Sequence, residues 1–114
     1  MHAFEILADP VRRRILELLA SGELTSGQIV AVIAGEFGIS QPAVSQHLRV
    51  LRECGFASVR SEGARRLYSV EARVLRDADA WLERFRRVWD QPLAALDTEI
   101  ARGKRARGRH KLLK

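Results

Sequence analysis

Apolar residues recur along this chain at helical spacing, with one short interruption near the middle. The first clear run follows Asp9-Pro10, where Asp suits a helix cap and Pro the first turn. Val11, Ile15, Leu18 and Leu19 then fall on one face before Ser21-Gly22 ends the segment. Upstream, Ala3, Phe4, Ile6 and Leu7 predict a short apolar helix that needs cover from elsewhere, such as a second subunit. Thr25 with Gln28 has capping-box spacing, since each side chain can satisfy the other's backbone N–H. Ile29, Ile33 and Phe37 form the stripe of the helix that follows, and Gly38 is a natural left-handed stop. After Gly38-Ile39-Ser40 comes another helix, capped by Ser40, with Pro42 in its first turn and Val44, Leu48 and Leu51 on its inner face.

Two helices joined by a short Gly-containing turn have the arrangement of a helix-turn-helix. With Val44, Leu48 and Leu51 inward, Gln41, Ser45, Gln46, Arg49 and Arg52 face outward. Gln and Arg side chains pair bidentately with adenine and guanine edges, and a helix fits the major groove of DNA. A solvated helix face is the plain alternative. The next segment favours the DNA reading. Residues 56–60 and 65–70 alternate apolar and polar positions around a Gly-containing turn, the pattern of a β-hairpin. Arg60, Arg65 and Arg66 lie at its tip and flanks, where a wing can reach sugar-phosphate or the minor groove.

From Glu71 onward, Val74, Leu75, Ala78, Trp81, Leu82, Phe85, Val88, Trp89, Leu93, Leu96 and Ile100 keep spacings of three and four. They predict one amphipathic helix of nearly thirty residues, roughly 45 Å long, kinked or divided at Pro92. So small a body offers little core to hide that seam. A partner helix from a second copy is therefore expected, with packing against the chain's own first helices as the alternative.

At 114 residues the chain is one domain's worth, and 46% hydrophobic with 30% charged residues is the composition of a soluble globular protein. No apolar run approaches the roughly 20 residues of a membrane span. A single Cys54 and the absence of a secretory pattern at the N-terminus predict a reducing cytoplasm. The net charge of +6 is concentrated at the end. Residues 102–114 hold seven Lys or Arg and no acid, leaving 13 bases against 14 acids before them. We expect residues 1–101 to form the domain and 102–114 a disordered basic tail free to meet a polyanion, or a solubilising terminus with no partner. Within the body, Ser40 to Arg66 is locally basic, with five Arg against two Glu.

The segments LADPVRRRILELL, SQPAVSQHLRVLRECG and RSEGARRLYSV together are similar to the ArsR-type winged helix-turn-helix repressors of bacteria. The likeness spans about residues 5 to 71. It implies a mainly α fold with a small β-hairpin and a long C-terminal dimerisation helix. It further implies a homodimeric repressor on an inverted-repeat, double-stranded DNA operator. Carried onto this chain, the DNA-facing positions are Gln41, Ser45, Gln46, His47 and Arg49 on the helix and Arg60, Arg65 and Arg66 on the wing. The dimer would join through Phe4, Leu7, Leu75, Ala78, Trp81, Leu82, Phe85 and Trp89. The chain departs from the family's usual spacing by about one helical turn between Thr25 and Ser40, in either the supporting helix or its turn.

Metal-sensing relatives carry a Cys-x-Cys pair before the recognition helix or Asp/His sets on the last helix. TSGQIVAVIA offers no thiol and the last helix no His, so neither metal nor other cofactor is expected. No catalytic triad, phosphate-binding glycine loop or carboxylate pair can be assembled, and enzyme is the weakest class. Two other functions remain open: a sensor with a small-molecule pocket between the long helices, and a winged-helix interaction module that no longer binds DNA.

Overall fold

The computed structural model describes residues 2–90 of the chain. In order these are α1 (His2–Leu7), α2 (Pro10–Ala20), β1 (Leu24–Thr25), α3 (Ser26–Phe37), α4 (Gln41–Glu53), β2 (Ala57–Glu62), β3 (Arg65–Val70) and α5 (Ala72–Glu83). They divide into two units, one through Ala78 and a second from Asp79.

Local chemistry sets the helix ends. The Asp9 carboxylate accepts the backbone N–H of Val11 and of Arg12, at 2.8 and 3.2 Å, so two donors left over at the start of α2 are satisfied. The Thr25 hydroxyl accepts from the Gln28 N–H while Gln28 Oε1 accepts from the Thr25 N–H, a complete capping box opening α3. Gly38, at φ 66°, closes α3 in the left-handed region, and its N–H bonds the Ala34 carbonyl. Only three residues then separate α3 from α4. The segment between Thr25 and Ser40 is thus almost wholly helix.

The core of the first unit gathers Ile15 and Leu19 of α2, Ile29 and Ile33 of α3, Val44, Leu48 and Leu51 of α4, and Phe56. Expectation and structure differ in several places. Leu16, off the expected stripe, is buried while Leu18 is only half-buried against the core, and Phe37 stays exposed at the end of its stripe. In α1, Ala3 and Ile6 belong to this same core, so their cover comes from their own chain. Gly55 follows α4 with φ 84°, and a Cβ there would lie 3.1 Å from Val74 Cγ2; the close approach of α5 depends on its having no side chain.

The sheet runs β1-β3-β2, all antiparallel. The hairpin is as expected, with Glu62 opposite Arg65 and a two-residue loop, Gly63-Ala64, between them. The two-residue β1 is an addition. Leu24 and Thr25 pair with Tyr68 and Leu67, tying the start of α3 to the wing. Two residues are too few to show alternation, so no sequence pattern announces this strand.

Within the described residues the C-terminal helix is interrupted. α5 stops at Glu83, Arg84 and Phe85 lie in a turn, and residues 86–90 are helical again. At the break the N–H groups of Arg84 and Phe85 bond the carbonyls of Trp81 and Leu82, three residues back instead of four. Neither residue is Gly or Pro, so the expected division at Pro92 has a counterpart seven residues earlier. Pro92 itself, Leu93, Leu96, Ile100 and the basic segment 102–114 lie outside the described residues.

Candidate nucleic-acid interface

Helix α4 carries the central surface. Ser40 Oγ accepts the Ala43 N–H at 3.2 Å, and Pro42 sits in the first turn, where its missing N–H costs no bond. Val44, Leu48 and Leu51 are 0, 2 and 0% exposed, which fixes the rotation of the helix about its axis. Gln41, Ser45, Gln46, Arg49 and Arg52 consequently lie on the exposed side. Arg49 Nη2 donates to Gln46 Oε1 at 2.7 Å. This bond links the two side chains best suited to reading bases and leaves the Gln46 amide N–H groups and the other Arg49 N–H groups as donors.

His47 behaves differently. It is half-buried, and its Nδ1 accepts a hydrogen bond from Arg12 Nε of α2 at 3.3 Å. One ring nitrogen is thus engaged by the chain's own scaffold, not turned outward with its neighbours.

Strand register separates the three wing arginines, which the sequence treats alike. Directly opposed residues of an antiparallel pair share a face, and successive residues alternate. Arg66 opposes Ser61 and shares the face of Tyr68 and Val59. Arg65 opposes Glu62 and Arg60 opposes Leu67, on the other face. There Arg60 forms a two-pronged ion pair with Glu23, at 2.8 and 3.0 Å, and Arg65 bonds Glu62 at 2.6 Å. Arg60 also lies 3.9 Å from Glu62. The Arg60 guanidinium, by hydrogen bond and then by charge, holds the Glu23 carboxyl below the ordinary carboxylate range. Two of the three wing arginines thus carry exposed ion pairs within the protein.

Between α4 and the Arg66 face of β3 lies an open concavity of about 450 Å³. Ser26, Ser45, Gln46, Arg49, Arg52 and Arg66 line it beside Pro42, Leu48 and Tyr68, and among the described residues no carboxylate does. Three guanidinium groups around such a groove make a surface suited to polyanion backbone. Ser26 is an addition to the expected site, and Arg52, read in the sequence on the outward face of the helix but not among the positions carried over by resemblance, joins it. Ser26 joins only because β1 holds the start of α3 against the wing.

The expected dimer surface also divides. Phe4, Leu7 and Leu75 are half-buried, and Leu7 and Leu75 pack against the core. Ala78 is buried, at 4% exposure. Trp81, Leu82, Phe85 and Val88 are exposed, Val88 to 67%. The rings of Trp81 and Phe85 lie 4.8 Å apart, tilted by 48°, and the Arg86 guanidinium sits 5.9 Å from the centre of the half-buried Trp89 ring. Among the described residues no three His, Cys, Asp or Glu converge as metal ligands, and no helix is long and apolar enough to cross a membrane.

Residues 9–59, from the cap of α2 into β2, match the family model described as "Bacterial regulatory protein, arsR family". The chain is 37% identical over 84 residues to the transcriptional repressor SdpR of Bacillus subtilis, covering 74% of this chain and 89% of that one. The chain belongs to the ArsR family. That family is one of transcriptional regulators, not enzymes. Among solved structures, a possible transcriptional regulator for arsenical resistance superposes with a TM-score of 0.65 at 35% identity, covering 83% of this chain and 96% of its own. A winged helix-turn-helix DNA-binding domain from Mycobacterium bovis, described as homodimeric, gives a TM-score of 0.55 at 28% identity over 69% of each chain. The architecture of this ArsR-family member is accordingly the winged helix-turn-helix, with α3 and α4 as the two helices of the motif and β2-β3 as the wing.

Proposed function

We propose that this chain is a homodimeric transcriptional repressor, acting in the cytoplasm on an inverted-repeat DNA operator. The observation that carries the reading is the orientation of α4: its apolar side is sealed in the core, and Gln41, Ser45, Gln46, Arg49 and Arg52 are presented beside a groove that no carboxylate lines among the described residues. Two copies place their α4 helices in successive major grooves about 10 bp apart and deny the promoter to polymerase. Gln41, Gln46 and Arg49 read bases; Ser45, Arg52, Arg66 and Ser26 hold the sugar-phosphate backbone. The exposed Trp81, Leu82 and Phe85, with Trp89, join the two copies, as the homodimeric description of a structural relative supports. Residues 102–114 add sequence-independent phosphate contacts.

The test is a mobility shift of the chain's own upstream DNA, with and without excess random competitor, alongside the solution mass of the free protein. A retarded band that survives the competitor and a mass of two chains are expected. Binding that random DNA abolishes, or a monomer that binds as well as the dimer, would overturn the proposal.

A further inference from the structure

Arg12 belongs to α2, outside the helix-turn-helix, yet its Nε lies 3.3 Å from Nδ1 of His47 on α4. A guanidinium nitrogen only donates, so the His47 Nδ1 must be the acceptor and carry no proton. In a neutral imidazole the proton then resides on Nε2, at the other edge of the ring. One bond therefore decides that the His47 edge turned away from Arg12 is a donor and not an acceptor. The half-buried position of His47 places it at the flank of α4, between buried Val44 and Leu48 and exposed Gln46. Flanking side chains of a helix in the major groove meet the bounding phosphates, which only accept hydrogen bonds.

We infer that Arg12 is a positioning residue that holds His47 as its Nε2–H tautomer, so that His47 donates to a backbone phosphate of bound DNA. The second half of this inference rests on the operator-binding reading; the first half does not.

The experiment therefore has two arms, both on the full chain. Long-range 15N–1H correlation spectra of the free protein, at mildly alkaline pH, report the tautomer directly. His47, assigned by its loss in His47→Gln, is expected as Nε2–H, and that preference should disappear in Arg12→Met. In the second arm, operator affinity is compared across variants whose melting temperatures confirm the fold. His47→Asn keeps an acceptor near the Nδ1 position for Arg12 but lacks the outward donor, and should bind about tenfold more weakly. His47→Gln carries an amide N–H at the reach of Nε2 and should stay within about threefold of the parent. Arg12→Met should weaken binding in the parent and cost nothing further beside His47→Asn. An Nδ1–H spectrum overturns the inference, as does parental affinity in His47→Asn. If the parent chain retards no DNA, the operator reading falls, and the spectrum alone decides the role of Arg12.

Discussion

Arg65 and Arg66 are neighbours in β3 and face opposite sides of the sheet: Arg65 is held by Glu62 at 2.6 Å, whereas Arg66 opens onto the groove beside α4. A pleat of period two gives adjacent identical side chains unlike surroundings. The electrostatics follow, because a cation already paired with a carboxylate has less to offer a phosphate than one that is not.

Arg66→Ala is accordingly expected to weaken DNA binding uniformly across sequences and to lower the log–log salt slope by about 0.9, the signature of one lost phosphate contact. Arg65→Ala should change neither by a measurable amount. Titrations at several salt concentrations decide this, and equal effects from the two variants would contradict the assignment by strand face.

Arg49 and Gln46 are bonded to each other across one turn and should act together in reading bases. Either alanine variant should lose about 1–3 kcal/mol at the operator with little change on random DNA. The double variant should lose less than the sum of the two, since each already removes their mutual bond.

The exposed Trp81 and Phe85 predict a dissociation phenotype. Trp81→Ala with Phe85→Ala should shift sedimentation from dimer to monomer and weaken DNA binding without unfolding the first unit. Leu48→Ala, by contrast, empties space in the core and should cost about 2–5 kcal/mol of folding stability.

Two ion pairs link stability to acid pH. The Glu23 and Glu36 carboxyls are held below the ordinary range, chiefly by hydrogen bonds from Arg60 and Arg14. A carboxyl whose pKa is lower when folded contributes stability above its unfolded value and loses it as pH falls through its folded value. Melting temperature should therefore decline as pH drops below about 4.3, the usual Glu value. Glu23→Gln combined with Glu36→Gln should flatten that decline while lowering the plateau only slightly, because both pairs are exposed.

Deleting residues 102–114 removes seven basic side chains and should reduce the salt slope on any DNA while sparing operator preference. An unchanged slope would leave that segment no part in binding.

The capped helices, the three-residue turn and the inward phase of α4 were legible in the sequence because each depends on neighbours within a few positions. Asp9, Thr25, Gln28 and Ser40 act on backbone groups two or three residues away, and the Val44-Leu48-Leu51 stripe needs only the helical repeat. The hairpin was legible for the same reason. What could not be read was which charge meets which. Glu23 reaches Arg60 across 37 positions and Arg12 reaches His47 across 35, so no local pattern records either meeting. Tertiary packing alone paired them, tying Arg60 to Glu23 while Arg66 and Arg52 stay at the groove. It also brought Ser26 to the site through a two-residue strand, and buried Ala3 and Ile6 within one copy of the chain. Periodicity reports that a face is apolar; only the packed chain decides what covers it.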